Sequence, residues 1–155
     1  GLGAGLIAFL GARIEPGVEV VARTVRLRER LRGADPSAGL PGRAQTGPRP
    51  GAGRASLVLT GEGRLDGQTG YGKTVAGVAR IAAAEGVPVI LVVGSLGTGW
   101  ERVLKLGVEG VEPIVPSSGT LEEALARPAE MLATTVARAV DGWLRIRAIA
   151  GARDE

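Results

Sequence analysis

Residues 87–93, Val-Pro-Val-Ile-Leu-Val-Val, followed by Gly94-Ser95, constrain the fold more than any other part of the chain. An unbroken apolar run of this length, rich in β-branched side chains, has no face left for water. It suits a strand covered on both sides, as in a parallel sheet lined by helices. The surrounding sequence keeps the same rhythm. Residues 56–60, with Leu57-Val58-Leu59, read as a short buried strand. Residues 74–85 read as an Ala- and Val-rich helix ended by Gly86 in the position after the C-cap. Residues 100–106 form a short helix closed by Gly107, and residues 111–115 a weaker strand whose Pro113 places it at an edge. Thr120 with Glu123 makes a capping box for the next helix. Pro128 breaks or restarts that helix, and residues 129–150 supply the last one. Strands alternating with helices predict an α/β fold, a parallel sheet flanked by helices of the Rossmann or flavodoxin-like kind. Ligands of such sheets sit at the carboxyl ends of the strands.

The amino-terminal third has a different texture. Residues 2–12 are small or apolar all round, which predicts a buried helix packed closely through Gly3, Gly5 and Gly11. Pro16-Gly17 breaks it, and residues 18–31 carry Val20, Val21, Val25 and Leu27 among Arg and Glu, an amphipathic helix. Residues 33–55 are rich in Pro and Gly and poor in apolar side chains. Such a segment cannot bury enough surface to offset its ordering entropy, so a flexible insertion is expected. The expected organisation is therefore 1–32 helical, 33–55 insertion, and 56–155 the α/β domain.

The chemistry is concentrated in one stretch: Thr60-Gly61-Glu62-Gly63-Arg64-Leu65-Asp66-Gly67-Gln68-Thr69-Gly70-Tyr71-Gly72-Lys73-Thr74. It is expected to form the loop between the strand at 56–60 and the following helix. Glycine backbone can approach an anion closely, and a helix N-terminus adds positive partial charge. Carboxylates, cations and hydroxyls in one loop suit metal–phosphate chemistry. Residues 67–74 also satisfy G-x-x-x-x-G-K-[ST], the phosphate-cradling P-loop. A P-loop leaves its strand directly, whereas Gly61 to Asp66 are expected to intervene here. The next strand, moreover, ends in Gly94-Ser95 rather than in a metal-binding Asp.

The same residues resemble the signature of the class I glycerate kinases, T-G-E-G-R-L-D-x-Q-T-x-x-G-K followed by G-V-A. That pattern is matched from Thr60 through Lys73 and again at Gly77-Val78-Ala79. Gly1-Leu2-Gly3-Ala4-Gly5-Leu6, Glu15-Pro16-Gly17, Val87-Pro88-Val89-Ile90 with Gly94-Ser95, and Ser118-Gly119-Thr120-Leu121 also resemble family segments. Residues 36–54 fall outside the resemblance and read as an insertion. The resemblance implies part of a two-domain enzyme. The chain would be a C-terminal fragment, residues 1–32 a remnant of the other domain, and the missing N-terminal part a partner. It implies ATP-dependent phosphorylation of D-glycerate at the 2- or 3-hydroxyl, with Mg²⁺.

Phosphoryl transfer needs charge neutralisation and an oriented hydroxyl. Lys73 suits a phosphate oxygen, and the planar fork of Arg64 suits a phosphate or the substrate carboxylate. Asp66 is the candidate general base or Mg²⁺ ligand, with Glu62 as second carboxylate. Gln68 and Thr69 are hydrogen-bonding groups or helix caps. Gly61, Gly63 and Gly72 are expected to line the phosphate, and Gly94, Ser95 and Gly97 resemble a second backbone anion site or a plain turn. Two other readings stand beside this one: a P-loop-type nucleotide-binding protein, and a non-catalytic Rossmann-like remnant.

Composition narrows the classes. Neither Cys nor His occurs, so disulfides, thiolate or imidazole metal sites and His-based triads are excluded. A metal would be a hard cation on oxygen ligands. Net charge is +3. The Arg23, Arg26, Arg28, Arg30 and Arg32 cluster lacks the interleaved aromatics of a nucleic-acid surface, so no nucleic-acid partner is expected. The apolar opening is too short and glycine-rich to span a bilayer, and cytoplasmic residence is expected.

Overall fold

The computed structural model describes residues 2–34, 53–67, 74–115 and 119–151. The chain divides into two compact units, Gly1–Arg54 and Ala55–Glu155. The expected insertion at 36–54 lies almost wholly outside the described residues.

The first unit holds three helices: α1 (Leu2–Leu10), α2 (Gly17–Thr24) and α3 (Leu27–Leu31). Pro16 pre-sets the entry to α2, and its carbonyl accepts from Glu19 N at 3.0 Å. Glu19 in the first turn and Arg23 in the last complement the helix dipole. Arg23 Nη2 also donates to Glu15 Oε2 at 2.8 Å. That hydrogen bond, reinforced by the charge of Glu15, raises the guanidinium pKa above its ordinary value.

Two expectations fail in this unit. The single helix over 18–31 is two helices, because Arg26 takes a left-handed conformation (φ 51°, ψ 50°), which costs about 1–2 kcal/mol outside glycine. The break is held by side chains. Arg30 Nε donates to the Val25 carbonyl at 2.8 Å, and Thr24 Oγ1 donates to Val20 O at 2.9 Å. The first bond satisfies a carbonyl left over beyond the end of α2, and the second is a back-bond onto its last turn. The second failure is α1, expected to be buried. None of its residues is buried, and Leu2 and Phe9 are more than four-fifths exposed. Its apolar composition is fit for burial, yet Leu6 and Ile7 are only partly covered and Leu2, Phe9 and Leu10 stand largely exposed.

The second unit contains β1 (Val58–Leu65), α4 (Thr74–Ala84), β2 (Val89–Leu96), a 3-10 helix (Trp100–Leu106), β3 (Val108–Pro113), α5 (Leu121–Ala126) and α6 (Pro128–Gly151). The strands form one parallel sheet in the order β1-β2-β3. This is the α/β architecture expected from the alternation. β2 is the central strand, and Val89, Leu91 and Val93 are fully buried, with Ile90 and Val92 nearly so. Full burial of each such side chain contributes roughly 1.5–3 kcal/mol. Helix α4 packs on β1 and β2, and α6 on β2 and β3. Ala76, Gly77, Ala79 and Ala82 are buried; side chains this small let a helix approach a sheet closely.

Helix ends follow the local signals. Gly86 (φ 63°) closes α4 with a Schellman pair, Gly86 N to Ala83 O and Val87 N to Ala82 O, both 2.9 Å. The capping box of α5 forms as the spacing predicts. Glu123 N donates to Thr120 Oγ1 at 3.2 Å, and Thr120 N donates to Glu123 Oε2 at 3.0 Å. Pro128 opens α6, and Pro113 ends the edge strand β3, where a missing donor does least harm.

Candidate functional site

Chemistry-bearing residues of the signature reach the site on β1. The strand does not stop at Thr60 as expected; it continues through Gly61, Glu62, Gly63 and Arg64 to Leu65. Glu62 pairs with Val93, Arg64 with Ser95 and Leu65 with Leu96. Likewise β2 runs on through Gly94 and Ser95 to Leu96, so those two residues are strand, not loop. The glycines explain why sequence alone misplaced the boundary. Glycine and charged residues are depleted in strands, but here the two backbones approach too closely for side chains. A Cβ on Gly61 would fall on the Val92 carbonyl, and one on Gly94 on the Gly63 carbonyl.

Arg64 and Asp66 stand at the carboxyl end of β1. Arg64 Nε lies 3.9 Å from Asp66 Oδ2, with the Arg side chain 67% and the Asp side chain 30% exposed. So long and wet an ion pair contributes little to stability, about 0–1 kcal/mol. It leaves both groups accessible to a ligand. Strand alternation places Glu62 and Arg64 on one face.

The loop after β2 is fastened to the end of β1. Gly97 N donates to Leu65 O at 2.7 Å, and Gly67 N donates to Thr98 O at 2.9 Å. Gly99 (φ 78°) packs so closely that its Cβ position lies 3.3 Å from Gly67 Cα. Beyond β3, Ile114 N donates to Val93 O at 2.7 Å and Val115 N to Gly94 O at 3.2 Å. The ends of all three strands are thus tied into one rim. Gln68, Thr69, Gly72 and Lys73 lie outside the described residues. The rim collects Glu62, Arg64 and Asp66, with Gly61, Gly63, Gly94 and Ser95 beside them in the ladder.

Among the described residues no group of three or more acidic side chains could by itself hold a metal. Mg²⁺ does not require one, since it keeps waters and takes one or two carboxylates plus phosphate oxygens. Asp66, a partly exposed carboxylate at the rim, fits such a donor set. No helix among the described residues is long and apolar enough to cross a membrane.

The structure also revises the P-loop comparison. With β1 ending at Leu65 and α4 starting at Thr74, only Asp66 separates the strand from Gly67. The expected six-residue gap does not exist, because Gly61 to Leu65 are strand. The other difference stands: β2 ends in Gly94-Ser95-Leu96 without a carboxylate, and the carboxylate near the end of β3, Glu112, accepts from Arg138 Nη2 at 3.1 Å. Sequence reasoning missed the fastening role of Thr98 and Gly99. The Gly97-Thr98-Gly99 spacing was the available signal.

A parallel sheet flanked by helices, with a charged, glycine-rich rim at its strand ends, defines the class: an α/β domain with a candidate site at the carboxyl edge of the sheet. More narrowly, the chain belongs to the glycerate kinase family, whose profile matches residues 1–37 and 47–144. It is 42% identical over 132 residues to a glycerate kinase of Halalkalibacterium halodurans, covering 85% of this chain and 29% of that protein. It is 36% identical over 124 residues to the glycerate 2-kinase of Escherichia coli, covering 80% and 27%. With a glycerate kinase of Bacillus subtilis the identity is 33% over 135 residues, covering 87% and 30%. The chain therefore spans about three-tenths of the length of these relatives.

Proposed function

We propose that this chain carries the phosphoryl-transfer rim of a glycerate kinase, which phosphorylates a hydroxyl of D-glycerate from ATP in the cytoplasm. The observation behind the reading is the family signature, Thr60 to Lys73, entering at the carboxyl edge of a parallel sheet with Arg64 and Asp66 at its mouth. The name of the Escherichia coli relative favours the 2-hydroxyl as acceptor.

Each residue has a task in this reading. The Arg64 fork binds a planar anion, the substrate carboxylate or a phosphate. Lys73 neutralises charge on the transferred group, and the glycines let backbone approach it. Asp66 takes the proton of the attacking hydroxyl or holds Mg²⁺, with Glu62 as the accompanying carboxylate. Gln68, Thr69, Gly72, Gly94 and Ser95 would complete the binding surface. Mg²⁺, when bound, would neutralise the polyphosphate. The remaining part of the enzyme would supply the other wall and cover α1, whose exposed Leu2, Phe9 and Leu10 need a partner.

The test is product formation from ATP, Mg²⁺ and D-glycerate by the longest polypeptide of this reading frame. Product identity by ³¹P NMR separates 2- from 3-phosphoglycerate. Titration calorimetry of ATP and of D-glycerate into the chain itself goes with it. Absence of turnover in the longest polypeptide, together with absence of binding, would leave a non-catalytic domain.

The short link between β1 and Gly67 favours a second reading, in which residues 67–74 act as a P-loop proper. It shares the phosphate and differs in who holds the metal.

A further inference from the structure

Arg64 and Asp66 share an unusual neighbour. A Cβ on Gly97 would lie 2.9 Å from Asp66 Cβ and 3.1 Å from both Nε and Nη2 of Arg64. The first distance is closer than real Cβ contacts come, and Asp66 Cβ is bonded directly to backbone, so it cannot swing away. Gly97 does not have a left-handed φ. What glycine supplies here is room, not conformational freedom. The neighbouring backbone is pinned, because Gly97 N donates to Leu65 O at 2.7 Å and Gly67 N to Thr98 O at 2.9 Å, one bond on each side of Asp66. Neither strand end can retreat without breaking one of them.

We propose that Gly97 is a positioning residue: its bare Cα is the seat on which the Asp66 carboxylate and the Arg64 guanidinium are held at the rim. Any side chain at 97 lifts both groups from their place. The effect passes through Asp66 and Arg64; Gly97 itself touches no reacting atom. As far as catalysis is concerned, the inference rests on the reading of Asp66 as the working carboxylate.

The first measurement is made on the chain itself. Side-chain carbon resonances of Asp66 and Arg64 are compared in the wild type, in Gly97→Ala, and in Gly142→Ala. Gly142 lies on α6 with open space at its Cβ position. Asp66 and Arg64 should shift in Gly97→Ala and stay in place in Gly142→Ala; unmoved resonances in Gly97→Ala overturn the proposal. If Gly97→Ala does not fold, adding Asp66→Gly removes the Cβ that the alanine meets. Folding should then return, and its failure to return counts equally against the seat.

The second measurement is kinetic, on the longest polypeptide of the reading frame. Gly97→Ala should lower kcat by about tenfold or more, since misplacement by about 1 Å can cost about a hundredfold. KM for glycerate should rise as well where Arg64 holds the substrate carboxylate, and change by less than about threefold where Arg64 holds a phosphate. In a double Asp66→Asn, Arg64→Ala background the same change should cost less than about twofold in kcat, because both groups that it displaces have already lost their function. Full multiplicative losses would show that Gly97 acts elsewhere. Wild-type turnover in Asp66→Asn would instead remove the functional reading, while the resonances still decide whether Gly97 seats the pair.

Discussion

Gly67 donates its N–H to the carbonyl of Thr98 at 2.9 Å, so the first turn after β1 is fastened to the first turn after β2. The consequence is a rim that exists before any ligand arrives. Groups fixed in advance do not have to be ordered during the reaction, which is where preorganised charge has its value.

Asp66 is the first residue to test. As base or metal ligand, its substitution Asp66→Asn should lower kcat by about 100-fold or more, with the fold retained. Retention is expected because the pair with Arg64 spans 3.9 Å and is solvated. Steady-state kinetics with a thermal melt as control decide it. Near wild-type turnover would strip Asp66 of either role.

Gly61 tests the strand rather than the chemistry. Its Cβ position coincides with the Val92 carbonyl, so Gly61→Ala must force β1 and β2 apart. A loss of roughly 1–3 kcal/mol is expected, the range for overpacking a tight site, read as a lower urea midpoint. Unchanged stability would mean that residues 61–65 are a loop after all.

Thr120 supplies a smaller, local test. Thr120→Ala removes the acceptor of the Glu123 N–H and with it the reciprocal capping box. The expected loss is about 0.5–2 kcal/mol, read as a lower melting point. An unaltered melting point would show that the box contributes nothing to the folded state.

Much of the fold was legible because its signals are local. Residues 87–93 declare a doubly covered strand by lacking any polar face, and Gly86, Thr120 with Glu123, and Pro128 mark helix ends within a few residues. What was hidden depends on contacts distant in sequence. The strand character of Gly61 to Leu65 comes from pairing with β2, which overrides the weak strand propensity of glycine and charged residues. The break at Arg26 depends on Arg30 reaching back to the Val25 carbonyl. The candidates Glu62, Arg64 and Asp66 stand out in the sequence by type and spacing. The closeness of Gly97 to Asp66 and Arg64 was not legible, since it arises only when the two strand ends lie side by side.

Thr74 separates the two readings of the glycine-rich segment. In a P-loop its hydroxyl is a Mg²⁺ ligand, so Thr74→Ala should raise the Mg²⁺ requirement steeply and lower turnover. In the glycerate kinase reading the signature ends at Lys73, and Thr74 is the exposed first residue of α4. Alanine is a good helix former, and the loss of a hydroxyl at a helix start costs about 0.5–2 kcal/mol of stability. Turnover should then stay within about threefold of wild type, and the Mg²⁺ dependence should not move, whereas Lys73→Ala is severe in both readings. The measurement is steady-state kinetics of Thr74→Ala across a Mg²⁺ titration, with Lys73→Ala alongside. Because β1 runs to Leu65 and leaves only Asp66 before Gly67, geometry alone does not favour the milder outcome. A steep rise in the Mg²⁺ requirement would assign the metal to Thr74 and leave Asp66 with the proton.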